Sequence, residues 1–166
     1  GRKLFTTMDL AFGYFQIPMA TGSEKKAAFI TPDGHYEPTV MMMGLANGPA
    51  VFQEVMSKVQ AKVGKDVMVP FLVNMIMTSD SYDDHLKKIR AVLQVLRETG
   101  LTVKLSKCRF FMRQVEFLGF KISAEGIQPG KEKLRAVGEF PRPESEHDVR
   151  RFLGLAGLFR RFIKNF

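Results

Sequence analysis

Tryptophan is absent from these 166 residues, cysteine occurs once, and histidine three times. The single thiol, Cys108, cannot form an internal disulfide, so the fold must rest on its core, and a reducing compartment is its simplest home. A small buried side chain is the expected role of Cys108. His35, His85 and His147 stand far apart without metal-ligand spacing, which argues against a structural zinc site. No apolar run approaches the roughly 20 residues that a bilayer-spanning helix needs, and no signal peptide is visible. Internal repeats and low-complexity tracts are also missing. These absences lead to the expectation of an intracellular protein, in cytoplasm or nucleus, without membrane attachment.

What is present is globular in composition, with 45% apolar and 25% charged residues. The length suits one ordinary domain burying about two thirds of its unfolded surface. A formal net charge of +8 suits a polyanionic partner, nucleic acid first. The chain starts Gly-Arg-Lys and ends on Phe166 within an apolar-periodic stretch, so both ends read as cuts through a longer protein.

Residues 4–10 (LFTTMDL) have strand character, and Asp9 lies near the end of that strand. A carboxylate there is equally a turn former or a cap. Apolar runs at 27–31 and 36–41 flank Pro32-Asp33-Gly34-His35, a hairpin signal. Pro49 fits a first helical turn, and Phe52, Val55, Met56 and Val59 follow at helical spacing until Gly64. A second helix is expected from Ser81 to Gly100, with Asp83 and Asp84 in its first turn and a stripe of Leu86, Ile89, Leu93 and Leu96, widened by Val92. Alternation at Leu101, Val103 and Leu105, and again from Val115 to Ile122, predicts short strands. A short helix from about Lys131 and a capped helix after Ser145, bending near Gly157, complete the pattern. The order describes an α+β domain with helices packed on a mostly antiparallel sheet.

Near the middle lies Val69–Met77, VPFLVNMIM, an apolar run broken only by Asn74. It reads as a tight β-hairpin at the centre of the sheet. The neighbouring Tyr82-Asp83-Asp84 belongs to the start of the following helix, where carboxylates favour the helix dipole.

Several segments together resemble the reverse transcriptase of gypsy-type long-terminal-repeat retrotransposons, and more distantly the retroviral enzymes. FTTMDLAFGYFQIPM looks like the first palm motif, and FITPDGHYEPTVMMMGLANGPAVFQEVM like the second. LTVKLSKCRFF and VEFLGFKISAEGI look like the two later palm motifs, and FPRPESEHDVRRFLGLAGLFRRFIKNF like the connection toward the thumb. The resemblance implies a palm-like antiparallel sheet with helices on one face. It implies palm with partial fingers over 1–130, and a helical connection and start of a thumb over 131–166. It makes Asp9 the retained metal-binding aspartate and Tyr14 the aromatic beneath the nucleotide sugar, with Gln16 matching the same nucleotide-binding motif. It also implies an RNA or DNA primer–template as partner. Lys25, Lys26, Lys104, Lys107, Arg150, Arg151, Arg160 and Arg161 are the candidate backbone contacts. A protein partner, or the remainder of a longer polyprotein, is the other expected partner.

The central hairpin departs from the family. Active relatives carry Tyr-x-Asp-Asp, whereas this chain has Phe71-Leu72-Val73-Asn74, so Val73 and Asn74 stand at the two aspartate positions. Active relatives use Mg²⁺ or Mn²⁺. Here Asp9, with one amide oxygen from Asn74, is expected to hold such an ion weakly, and polymerase chemistry is expected to be lost. The alternative is a non-catalytic scaffold that binds nucleic acid or protein.

Overall fold

A computed structural model describes residues 2–166, which form two compact units, Arg2–Met112 and Arg113–Phe166. In the first, β1 (Leu4–Asp9) lies inside a four-stranded sheet of order β4-β5-β1-β6, with β4 (Val69–Phe71), β5 (Asn74–Ser79) and β6 (Arg109–Met112). All of its pairings are antiparallel. Helix α1 (Gly48–Val63) and helix α2 (Tyr82–Glu98) cover one face. A separate hairpin, β2 (Phe29–Thr31) and β3 (Gly34–Tyr36), turns through Pro32-Asp33. This is shorter than the runs at 27–31 and 36–41 suggested: beyond Tyr36 the chain makes only an isolated bridge, Val40 to Pro18.

Side-chain alternation divides the sheet. Thr6 faces Met77 and Met8 faces Met75 on one side, while Asp9 faces Asn74 and Thr7 faces Ile76 on the other. Met8, Met75 and Met77 join Phe52, Met56 and Val59 of α1 and Ile89, Val92 and Leu96 of α2 in one buried cluster. The helices therefore lie on the methionine face. Asp9 and Asn74 belong to the opposite face. Burying each of these large apolar side chains contributes roughly 1.5–3 kcal/mol, which fixes the register, because a one-residue slip would exchange the two faces.

Two expectations need correction. The buried side of α2 carries His85, Ile89, Val92, Val95 and Leu96, whereas Leu93 is exposed. The stripe is rotated because a histidine, polar by composition, occupies a core position. Residues 101–105 form no regular strand: Val103 only bridges Leu10, and Leu105 is exposed in a short 3-10 turn, Leu105–Lys107. The chain pairs there through single backbone bonds, Ala11 N–H to Thr102 O and Lys104 N–H to Asp9 O. Cys108 is buried, as its composition suggested.

The second unit holds a three-stranded meander, β7 (Gln114–Phe117), β8 (Phe120–Ser123) and β9 (Gly126–Pro129), followed by α3 (Lys131–Gly138) and α4 (Glu146–Gly157). Ser145 caps α4 by accepting from Asp148 N–H, and the helix ends at Gly157 before a 3-10 turn, Arg160–Phe162. This division by contact falls at Met112, whereas the expected palm–thumb boundary at 130/131 follows the change from strand to helix.

The β4–β5 hairpin turns through only two residues, Leu72 and Val73. Leu72 sits at φ 50°, a left-handed conformation unfavourable for a branched side chain. It is held from both sides. Leu72 N–H donates to Gln53 Oε1 of α1 at 2.9 Å, and Leu10 N–H donates to Val73 O at 2.9 Å. Pro70 is accommodated because β4 is an edge strand. The closing pair Phe71–Asn74 is followed by the wide pair Pro70–Met75, so the missing N–H faces the open edge. Replacing Gln53→Met removes the acceptor for Leu72 N–H. The expected loss is about 1–3 kcal/mol in urea unfolding, with faster amide exchange at Leu72 and unchanged exchange at Met75–Met77. An unchanged midpoint and unchanged Leu72 exchange would show that the tip holds itself.

Candidate functional site

Antiparallel pairing of β1 with β5 sets Asp9 directly opposite Asn74, where β1 ends and the hairpin begins. Such pairs have Cβ atoms about 5 Å apart. Val73 is the other tip residue and is half-buried. A Cβ on Gly13 would come within 2.5 Å of Val73 Cγ1 and 2.9 Å of Phe52 Cζ, so the valine packs into the place that only glycine leaves open. The three positions singled out in the sequence are therefore gathered at one end of two strands.

The turn after β1 is built by Gly13–Gln16, with Phe12 in the left-handed region at φ 49°. Tyr14 stacks on Phe52 with centroids 5.3 Å apart, and a Cβ on Gly48 would approach its ring to 3.2 Å. This fixes the tyrosine beside the start of α1. Gln16 faces inward to backbone: Thr102 N–H donates to its Oε1 at 2.7 Å, and its Nε2 donates to Ala11 O and to Thr102 O. Its amide therefore clasps the 101–103 segment to the turn.

That segment delivers two lysines. Lys107 Nζ lies 3.7 Å from Asp9 Oδ1, and Lys104 Nζ lies 5.7 Å from the ring centre of the exposed Phe12. An ammonium is thus the cation nearest to Asp9. Lys25 and Lys26 are exposed on a separate 3-10 turn, Glu24–Ala27. In the second unit Arg150 pairs with Glu146 at 2.6 Å and Arg151 with Asp148 at 3.5 Å. Arg160 lies over Phe166 and Arg161 over Phe120 and Phe162. The structure brings Lys104 and Lys107 to Asp9, while the four arginines lean on neighbours of their own unit.

As a donor set for hard divalent cations this end of the sheet is poor. Asp9 offers a carboxylate, Asn74 an amide oxygen, and Val73 nothing. Asp83 and Asp84 do not make up the deficit. They begin α2 after Ser79, at the far end of β5, about 17 Å along the strand from Asn74. Asp84 pairs there with Lys88 at 3.2 Å. Among the described residues no three His, Cys, Asp or Glu side chains converge. Gln53 escaped sequence reasoning, and Gln16, singled out only as part of the nucleotide-binding motif, has a clasping role that the sequence did not show. Their only signal is position, one step beyond Phe52 and two beyond Tyr14, and nothing in residue type shows that their amides answer backbone groups.

Comparison with known proteins places these features in a family. A family model described as reverse transcriptase (RNA-dependent DNA polymerase) matches residues 1–122. The chain is 39% identical over 165 residues to the retrovirus-related Pol polyprotein from transposon opus of Drosophila melanogaster, and 38% identical over 165 residues to that from transposon gypsy. It covers 99% of itself in each alignment but only 16% of each relative's length. Among solved structures, the foamy viral protease–reverse transcriptase in complex with double-stranded DNA matches at a TM-score of 0.86 and 25% identity, over 99% of this chain and 34% of that one. A second, dRH form bound to double-stranded DNA matches at 0.89 and 24%, over 99% and 29%. The chain belongs to the reverse transcriptase family, among those of long-terminal-repeat retrotransposons.

Proposed function

We propose that this chain is the palm, with partial fingers and the start of a thumb, of a retrotransposon reverse transcriptase whose polymerising chemistry has been lost. One observation carries the reading: the positions opposite and beside Asp9 are Asn74 and Val73. Adding a nucleotide to a primer needs two divalent ions, one at the attacking hydroxyl oxygen and one at the triphosphate. Those ions need paired carboxylates, and this site has one. Removing a single transition-state stabilising group commonly costs about 10²–10³ in rate. Losing two anionic ligands costs more, since the ions are no longer held. Mg²⁺ or Mn²⁺ therefore binds weakly or not at all. Tyr14 is the residue we assign to the nucleotide sugar, with Gln16 fixing the turn that presents it.

Backbone contacts to nucleic acid need no metal, so the basic side chains support a second reading, a scaffold that holds primer–template or a protein without extending it. Lys25, Lys26, Lys104 and Lys107 are the exposed candidates in the first unit, and Arg150, Arg151, Arg160 and Arg161 in the second. No described helix is long and apolar enough to cross a membrane. We place the protein inside the cell, in cytoplasm or nucleus, where such templates occur.

Primer extension tests the first reading. With Mg²⁺ or Mn²⁺ the chain yields no DNA product; product that disappears on Asp9→Asn would overturn the proposal. Salt-dependent gel retardation tests the second. Binding of primer–template weakens linearly in log–log salt plots with a slope of about −0.9 per phosphate neutralised, and Lys25→Gln with Lys26→Gln flattens that slope by about one to two. Salt-independent retardation, or a slope unmoved by these changes, contradicts a phosphate-contact role for the pair.

A further inference from the structure

At the end of β1 remote from Asp9, three polar side chains are buried without any exposed surface: Thr6, Ser79 and His85. They bridge three elements. His85 of α2 meets Thr6 Oγ1 of β1 through Nε2 at 2.7 Å, and Ser79 Oγ of β5 through Nδ1. A fourth element joins through a fault in the sheet. Phe5 pairs with Met112 and Thr7 with Arg109, so the single residue Thr6 faces both Phe110 and Phe111. Phe111 takes φ 52° in this bulge, and its N–H donates to Thr6 Oγ1 at 3.1 Å instead of to a strand partner. Its ring stacks on Tyr82 at 4.7 Å and meets the edge of His85 at 5.0 Å.

We propose that His85 is a proton-operated latch that holds the edge strand β6 on the sheet, and with it the segment that carries Lys104 and Lys107 to Asp9. The direction of the hydrogen bonds makes the neutral ring the fitting state. Ser79 donates its hydroxyl to Ser81 O at 3.4 Å and accepts from Nδ1–H, while Thr6 donates to Nε2 and accepts from Phe111 N–H. Every donor then has an acceptor. A second ring proton reverses the Thr6 bond. Thr6 Oγ1 must then accept from both Nε2–H and Phe111 N–H, and its own hydrogen is left without an acceptor in a buried site.

The surrounding charges do not offset a cation there. On α2, Asp84 is already paired with Lys88 at 3.2 Å. At the strand end Asp80 is paired with Arg2 at 3.0 Å. On β6 the nearest charge is Arg109, itself positive and bonded to the carbonyls of Ser106 and Cys108. Burial, and next the charge of Lys88, hold the imidazole below its ordinary range, against a smaller opposing effect of Asp84. A histidine lowered in the folded state binds its proton more readily once released. The latch is therefore firm above the free value of about 6.5 and weakens as pH falls through it.

The consequence reaches the candidate site through the chain itself. β6 is an edge strand, so it opens without disturbing β1 and β5. It follows directly on residues 101–108, whose Lys104 N–H bonds Asp9 O at 2.7 Å and whose Lys107 pairs with the Asp9 carboxylate. Release of Phe111 thus loosens the lysine-bearing segment. This holds whether or not the site turns over nucleotides.

Amide hydrogen exchange of the 166-residue chain, with ¹⁵N detection of the histidine rings, tests the latch between pH 7.5 and 5. Corrected for intrinsic rates, exchange at Phe111 should rise about tenfold per pH unit below about 6.5, levelling off where His85 itself titrates. His85 should carry its proton on Nδ1 and titrate below the free imidazole value of about 6.5. His85→Gln, an uncharged bridge, should leave Phe111 exchange flat in pH. Exchange at Phe111 that is flat in the parent chain overturns the latch. So does a His85 that titrates at or above the free imidazole value of about 6.5, or a glutamine variant with the parent's pH dependence.

Discussion

Everything at the candidate site depends on the antiparallel pairing of β1 with β5. It sets Asp9 opposite Asn74, sends both away from the helices, and buries Met8, Met75 and Met77 on the reverse face. The register is held by that apolar face, by the two-residue turn at Leu72-Val73, and by the buried hydroxyl–imidazole contacts at the opposite strand end. None of these uses a tip carboxylate. The fold therefore does not depend on carboxylates at 73 and 74, and Val73 packs beside Gly13. The methionine core and the Asp9–Asn74 pair occupy opposite faces of the same two strands.

The positions around the tip share this division. Gln53 and Leu10 hold the turn through backbone groups, which makes their work independent of the side chains at 73 and 74. Gln16 ties the nearby turn to the 101–103 segment in the same way. Lys107 contributes a positive charge beside the Asp9 carboxylate. The pair is long at 3.7 Å, with the lysine exposed and the carboxylate largely covered.

Much of this was legible in the sequence where one periodicity dominates. The Phe52–Val59 stripe, the helix opening at Ser81 and the hairpin at 69–77 each form as expected, although the hairpin's first strand, β4, lies at the edge of the sheet rather than at its centre. Leu93 and Leu105 misled because leucine counts as core by type, yet tertiary packing turned both outward. His85 was missed for the converse reason: a buried histidine is acceptable only when two hydroxyls from other strands meet it, and no local pattern announces them. The β6 bulge at Phe110–Phe111 is likewise set by Thr6, 105 residues away from Phe111. Of the site, the residues Asp9, Val73, Asn74, Tyr14 and Gln16 were singled out by family resemblance, whereas the backbone contacts made by the amides of Gln53 and Gln16 were not legible.

The central claim is that the metal ions left with the two aspartates. The most direct measurement is a Mn²⁺ titration followed by electron paramagnetic resonance, on the chain itself, on Asp9→Asn, and on the double variant Val73→Asp with Asn74→Asp. The account predicts no tight Asp9-dependent binding in the chain and its appearance in the double variant. Two tight sites in the unaltered chain, abolished by Asp9→Asn, would contradict it.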